Sequence, residues 1–533
     1  MKSFKLLLPF SLVLLLAGGC EGFLDRDPLG QETDQNFFNN EQNAILAVNA
    51  IYNAASRSEG PSPYGWLPHN YEFIYGDILS DDAVKGSTAS DFIAIKQMEE
   101  WTVGPDYGPS AGSWVNLYVG VFRANTVIKN LPEATIDEDL KTRLLGEAHF
   151  MRGYFYFYLG RVFGGVPLFS EPVKPSESGT TSRASMEATY KFAEDDFRLA
   201  AQLLPERSAY AVEDRGRATK GAANGYLARC LMYQVGMGIN SHTWQEVFDA
   251  TKAVMNSGEY ALDANYARLF EVEGENGIES LFEIQAKNSS IADGDNKTGV
   301  NDNIFQNNRS TWGWGFNNPT QNFVDEFEAG DPRLPCTVIK DGDVVLGEKQ
   351  TVEYPSANET GYLNRKAATI TPNPGKSGDQ NIRKLRYADV LLMHAEAAYH
   401  VGQEAVARDI LNQIRNRARQ ATKPKGSVEG ELTYVPYPAG ELDNVLPPIA
   451  ASVSGQALLD AIYHERRVEL GMESLRFWDL VRTGRYMASL ETEAIRAAAM
   501  GRSVTTGTAV PVPVMPVPLD EVQSWGLQQN PGY

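Results

Sequence analysis

The stretch Asn307-Asn308-Arg309-Ser310-Thr311-Trp312-Gly313-Trp314-Gly315-Phe316 brings two indoles, two amides and a guanidinium together, with glycines that keep the backbone open. Flat aromatic faces stack on the apolar faces of sugar rings, and amides and guanidinium groups hydrogen-bond the hydroxyls. Ligand sites combine apolar walls with a few polar anchors in this way. Tyr64-Gly65-Trp66 and Tyr71 offer a second set. The candidate ligand residues are therefore Tyr64, Trp66, Tyr71, Trp312 and Trp314 for stacking, with Asn307 and Arg309 for hydrogen bonding. The competing use of any one of these aromatics is core packing.

Bond-breaking chemistry finds no matching pattern. The six histidines, His69, His149, His242, His394, His400 and His464, form no HExxH and no paired His/Asp spacing. His464-Glu465-Arg466-Arg467 reads as a charged helix face laced with ion pairs. Gly375-Lys376-Ser377 lacks the preceding glycine of a phosphate-cradling loop, and no GxSxG nucleophile elbow occurs. Asp293-Gly294-Asp295-Asn296 and Asp341-Gly342-Asp343 have calcium-like composition without the spaced ligands of an EF-hand, so turn chemistry is the better account. Glycosidase carboxylates need a fixed separation of ~5–10 Å, which no local signature supplies. No catalytic residue, metal ligand set or cofactor is assigned.

The N-terminus places this chemistry outside the cytoplasm. Lys2 and Lys5 precede an apolar run from Leu6 to Leu16, then Ala17-Gly18-Gly19 and Cys20. The run is shorter than the ~20 residues that span a bilayer, so residues 1–19 read as a removable signal. A cysteine directly after the small residues fits a lipidation site at Cys20; the competing reading is cleavage nearby and release of an unanchored protein. With 48 basic against 68 acidic residues the net charge is −20, which repels phosphate backbones and excludes nucleic acid as the expected partner. Membrane contact would come from the lipid alone. Cys230 and Cys336 make no disulfide framework and read as structural thiols, a single bridge being the alternative.

Stepping outward from the candidate residues, helical periodicity predicts a helix from near Asn40, then helices over 114–130, 137–159, 187–204, 217–235, 243–257, 385–400 and 404–419. The pairs 217–235/243–257 and 385–400/404–419 resemble tetratricopeptide-type hairpins without a strict period. Residues 58–113 read as loop, rich in aromatics that include Phe73, Tyr75, Trp101 and Tyr107. Residues 288–380 read as a polar insertion with short strands near 337–339 and 344–346. The expected design is a helical scaffold displaying two irregular, aromatic-bearing segments.

Several blocks together resemble the SusD/RagB family of outer-membrane nutrient-binding lipoproteins. They are Arg386-Tyr387-Ala388-Asp389 through Glu396, Leu411 through Arg417-Ala418, Ile462-Tyr463-His464-Glu465-Arg466-Arg467-Val468-Glu469-Leu470, and Arg476-Phe477-Trp478-Asp479 through Gly484. Pro516-Val517-Pro518 and Gln529-Asn530-Pro531-Gly532-Tyr533 resemble the family's C-terminus. Phe23-Leu24-Asp25 with Pro28, and Glu147 to Arg152 leading to Phe163-Gly164-Gly165-Val166-Pro167-Leu168, extend the likeness toward the N-terminus. The resemblance implies a mainly α, SusD-like fold of tetratricopeptide-like helix pairs with long irregular insertions and a few short strands. It implies a division into a signal peptide (1–19), an N-terminal part (20–260, with ligand loop 58–113) and a C-terminal part (261–533, with insertion 288–380), packed as one body. It also implies a SusC-like TonB-dependent outer-membrane transporter as partner, and a cell-surface location. Arg386 to Glu396 carries charges that can pair across helices, which is scaffold chemistry. The expected function is capture of a glycan or oligosaccharide for that transporter, without catalysis. Rival readings are a peptide-binding member of the same class, an anchored glycan hydrolase, and a lid with no ligand site of its own.

Overall fold

The computed structural model describes residues 37–56, 72–106, 108–173, 181–286, 302–310, 313–368, 380–507 and 510–533, and the backbone at 59–62 and 65–68. In chain order, α1 (Glu41–Ser56) leads to the hairpin β1 (Glu59–Ser62) and β2 (Gly65–Pro68), then β3 (Ala83–Gly86) and α2 (Ile93–Glu99). The long helices follow: α3 (Pro109–Asn130), α4 (Glu138–Phe163), α5 (Met186–Leu203), α6 (Lys220–Met237) and α7 (Trp244–Asn256). The insertion holds β4 (Ser280–Ile284), α8 (Asp302–Gln306), β5 (Phe316–Pro319), β6 (Val338–Lys340), β7 (Val344–Val345), β8 (Glu348–Lys349) and β9 (Tyr362–Asn364). Then come β10 (Ile382–Arg386), α9 (Tyr387–His400), α10 (Glu404–Ala418), α11 (Gln456–Leu470), α12 (Arg476–Arg482) and, near the C-terminus, α13 (Leu519–Trp525).

The helices begin where their caps dictate. The Asp137 carboxylate accepts from Leu140 N at 2.9 Å to start α4, the Thr219 hydroxyl accepts from Ala222 N at 3.0 Å to start α6, and Glu246 accepts from Thr243 N at 2.9 Å to start α7. Successive helices from α3 to α7 pack as neighbours; α7 then packs on α9, and α9 on α10 and α11. This is the expected array of helical hairpins. The core between them is aromatic: Phe150 meets Phe282 at 4.8 Å and Tyr226 at 5.5 Å, both edge-on, an arrangement that aligns ring edges with faces. Among the described residues, no helix is long and apolar enough to cross a membrane. Cys230 and Cys336 are both buried and free, as structural thiols should be.

The conserved-looking charged blocks lie inside. Arg386 bonds Glu279, Glu469 and Glu473; Arg417 bonds Glu279 and Glu469; Arg333 bonds Asp331, Glu465 and Glu469. Arg482 pairs with Glu396 at 2.6 Å, and Arg466 joins Asp389 to Asp479. Pairing across helices is therefore found, and the Glu465-Arg466-Arg467 face is laced with ion pairs as its sequence reads, inside the fold. Burial is tolerable because most of these charges meet two or more opposite ones, and Glu396 and Asp331 are each held by one guanidinium through two hydrogen bonds or more.

One expectation needs correction. Residues 58–113 are not loop throughout: β1 and β2 pair, Ile74–Ile78 form a π-helical turn, and α2 follows. Phe73, Tyr75 and Trp101 belong to the core, where the Trp101 indole donates to Tyr486 Oη at 2.7 Å. The short strands expected near 337–339 and 344–346 are present, and β6 pairs with β9 and β7 with β8. Asp341 and Asp343 serve turns, accepting from Val352 N (2.9 Å) and Lys340 N (2.7 Å).

Candidate ligand-binding site

The two irregular segments meet. β3, from the first, pairs antiparallel with β5, from the second, with Ala83 opposite Pro319, Val84 opposite Asn318 and Gly86 opposite Phe316. The pairing brings loop 86–92 against residues 307–310 and 313–315, and a third loop, 350–361, closes on both.

Backbone and side-chain bonds brace this junction from all sides. Ser87 N donates to Gly315 O at 2.7 Å, and Gly86 N donates to Glu359 Oε1 at 3.0 Å. Asn308 Nδ2 and Ser310 Oγ both donate to Thr351 O, at 3.0 and 2.9 Å. The Lys85 ammonium, 1% exposed, donates to the carbonyls of Gly86 (2.8 Å), Thr88 (2.9 Å) and Asp91 (3.1 Å), so one buried cation gathers the whole 86–91 turn. Burial holds its pKa below the usual lysine value, against the pull of Glu359, Asp91 and Glu99. Gly86 adopts φ +72°, and a Cβ there would lie 2.5 Å from Asn318 Oδ1 and 2.6 Å from Gly315 O, so only glycine allows the approach of the strands. Ser87 (φ 59°), Phe92 (φ 40°) and Asn317 (φ 59°) are left-handed at the same junction. Such backbone persists only where the surroundings over-determine it, and it concentrates at functional sites.

On this platform stands Trp314, 46% exposed, above Phe305, which stacks on Phe316 at 5.6 Å while Phe92 packs on both. Arg309 lies beside it, its Nη1 pairing with Asp91 Oδ2 and donating to Ser87 Oγ at 3.0 Å and to Trp314 O at 3.4 Å. The guanidinium is thus oriented and only half-buried. Asn307 is 6% exposed; its carbonyl accepts from Gly315 N at 2.9 Å, and a Cβ on Gly313 would lie 2.1 Å from that carbonyl oxygen. Its place is to shape the loop beneath Trp314. Trp66 lies on β2 opposite Pro61, with only its backbone described. Tyr64, Tyr71, Tyr107, Trp312, Cys20, the 293–296 motif and Gly375-Lys376-Ser377 fall outside the described residues.

Several contributors were not singled out in the sequence. Asp91 and Glu359 gain their roles only when distant segments meet, and Lys85 gathers the turn that follows it, which no motif marks. Tyr354, 60% exposed in the adjoining 351–357 turn, carries no motif around it. Other concavities offer less. A polar cavity of about 60 Å³ between Glu72, Asp302, Lys366 and Lys384 has room for a few waters, and burial pushes Asp302 up to about 6 there. An apolar cleft of about 330 Å³ between Trp114, Phe122, Phe169 and Trp525 has few polar anchors, and the Asn125 amide is already committed to Phe169 O. A wider cleft of about 460 Å³ is floored by Tyr52 and Arg217, both committed to Glu147.

Comparison with known proteins agrees with the architecture. Residues 278–533 match the SusD family model, and residues 23–232 match the model described as starch-binding, associating with outer membrane. A SusD-like protein of Formosa agariphila is 24% identical over 91% of this chain and 93% of its own; one of Bacteroides ovatus is 27% identical over 91% and 83%. Among solved structures, a laminarin-binding SusD-like protein aligns with TM-score 0.69 at 28% identity, over 93% of this chain and all of its own. Surface glycan-binding protein A from Bacteroides thetaiotaomicron, solved with laminarihexaose, aligns with TM-score 0.68 at 21% identity over 92% of this chain and 99% of its own, a likeness of fold. With two family models together covering most of the sequence, and the helical array and charged blocks in their expected order, the chain belongs to the SusD/RagB family.

Proposed function

We propose that this protein binds a glycan at the cell surface, through stacking and hydrogen bonding and with no bond made or broken. The carrying observation is the exposed Trp314 indole beside the oriented Arg309–Asp91 pair, on a junction of three loops braced from below. An aromatic face next to fixed polar groups suits a sugar ring, which has apolar C–H faces and a rim of hydroxyls. The laminarin-binding relative supports the reading by kinship. Tyr64, Trp66, Tyr71 and Trp312 extend the stacking set on sequence grounds, with Asn307 shaping the loop that carries the indoles.

In this reading residues 1–19 are removed, Cys20 carries lipid at the outer membrane, and the chain delivers its ligand to a SusC-like TonB-dependent transporter. Tethering beside the pore replaces diffusion by a high effective concentration. The name of the N-terminal family model, with its outer-membrane association, supports the location. Calorimetry of residues 21–533 against a glycan and peptide panel tests the binding. Labelling of intact cells with a Cys20→Ser variant tests the anchor, which should leave the membrane fraction. Co-purification with a barrel of the transporter class tests the partner.

A further inference from the structure

The charges around Trp314 say what kind of glycan fits, given the reading above. Among the described residues, three cations reach the polar atoms of the three loops, and each is already committed. Lys85 is buried on the carbonyls of Gly86, Thr88 and Asp91. Lys96 Nζ pairs with Glu99 Oε1 at 2.7 Å and Glu359 Oε2 at 3.3 Å. Arg309 pairs with Asp91, whose other contacts come from Ser87 and the turn around it. Against them stand Asp91, Glu99 and Glu359, joined by Glu353, whose side chain is exposed on the 351–357 turn. An arriving carboxylate or sulfate would meet guanidinium and ammonium groups that already hold partners, in a field that leans negative on a chain of net charge −20.

The same turn offers a second ring. Residues 308–310 are bonded to Gln350 and Thr351, and the Ala357 carbonyl lies 3.4 Å from where a Gly315 Cβ would stand, so the 351–357 turn runs alongside the Trp314 loop. The turn is closed by Ala357 N donating to Glu353 O at 2.8 Å, and Tyr354 projects from it more exposed than Trp314. An exposed phenol on a closed turn is held ready for a face it does not yet cover, with two χ angles to order on binding.

We propose that this face takes an uncharged glycan chain, with Tyr354 adding a stacking position next to Trp314, and that it rejects uronate-rich and sulfated glycans. The inference rests on the glycan-binding reading and narrows its ligand class. Isothermal titration of residues 21–533 against neutral β- and α-glucans, xylan and mannan, and against alginate, polygalacturonate and a sulfated galactan, decides it. A neutral glycan should bind with an affinity that changes less than about twofold between 50 and 500 mM salt, because no ion pair forms. Tyr354→Ala should weaken that binding about tenfold with an unchanged melting temperature, and Glu353→Lys should raise affinity for the anionic panel. Tighter, salt-sensitive binding of an anionic glycan by the parent protein would overturn the charge assignment. Full affinity in Tyr354→Ala, alongside loss in Trp314→Ala, would overturn the role of Tyr354. Failure of every glycan with saturable peptide binding would instead overturn the proposed function itself.

Discussion

Replacing Lys85 by methionine tests whether the site is built by its bracing or merely sits on the surface. The side chain is nearly fully buried, methionine matches its length, and the change removes only the ammonium. Three hydrogen bonds are lost, to the carbonyls of Gly86, Thr88 and Asp91 at 2.8, 2.9 and 3.1 Å. A hydrogen bond with a charged partner contributes about 1.5–3 kcal/mol, and the cost of burying the ammonium offsets part of the sum, leaving roughly 3–5 kcal/mol for this turn. That loss falls on a local unit. The turn hangs from the body through Ser87 N to Gly315 O, Gly86 N to Glu359 and Arg309 to Asp91, so it can open without unfolding the helical array. Amide exchange over residues 86–92 should therefore speed up by at least about a hundredfold, glycan affinity should fall at least about tenfold, and the melting temperature should hardly move. Unchanged protection of the Ser87 amide together with full affinity would refute the reasoning, since the three carbonyls would then have found other donors at no cost.

Glu469 sits among Arg417, Arg386 and Arg333; burial alone would raise its pKa, but the three guanidinium groups outweigh it and hold the carboxyl at about 2. Its stabilisation is present above the ordinary carboxylate range and is lost as pH falls toward 2. Glu469→Ala, leaving the three arginines short of a partner, should cost about 3–5 kcal/mol in denaturant melts at pH 7; a loss below 1 kcal/mol would show the network to be redundant. Asp77 behaves oppositely. Burial, opposed by hydrogen bonds from Asn317 and Ser474 N and reinforced by Asp82 and Asp302, pushes it up to about 8. The folded chain keeps a proton that the unfolded chain has released, so this group's contribution is complete below about pH 4 and declines as pH rises to about 8, by up to ~1.4 kcal/mol per unit. Between pH 5 and 7.5 the stability of Asp77→Asn relative to the parent should accordingly improve by about 2–3 kcal/mol; a constant gap would contradict it. Arg309→Ala should weaken glycan binding without altering the melting temperature by more than a few degrees, as read by calorimetry and thermal melts; unchanged affinity would confine Arg309 to holding Asp91.

The long helices were legible because their signals are local. Asp137, Thr219 and the Thr243/Glu246 pair cap helices at the expected starts, and apolar periodicity carries each one to its end. The charged blocks announced pairing across helices through residue type, yet the partners of Arg386 lie up to 107 positions away, so burial and pairing emerge only in the fold. The site divides in the same manner. Trp314 and Arg309 stand out by type and spacing, whereas Asp91, 218 positions from Arg309, meets it only because β3 pairs with β5. Phe73, Tyr75 and Trp101 show the converse: an aromatic in a polar segment is as easily a core residue as a ligand face, and residue type alone does not separate the two. Tyr354 went unnoticed because exposure on a closed turn leaves no mark in the neighbouring sequence.

The most direct test of the central claim is isothermal titration of the mature chain and its Trp314→Ala variant with the best-binding neutral oligosaccharide, with the products analysed afterwards. Saturable binding in the parent, a loss of about tenfold or more in the variant, and an intact oligosaccharide at the end are expected. Equal affinity in both proteins, or shortened oligosaccharide in the cell, would contradict a non-catalytic glycan site built on Trp314.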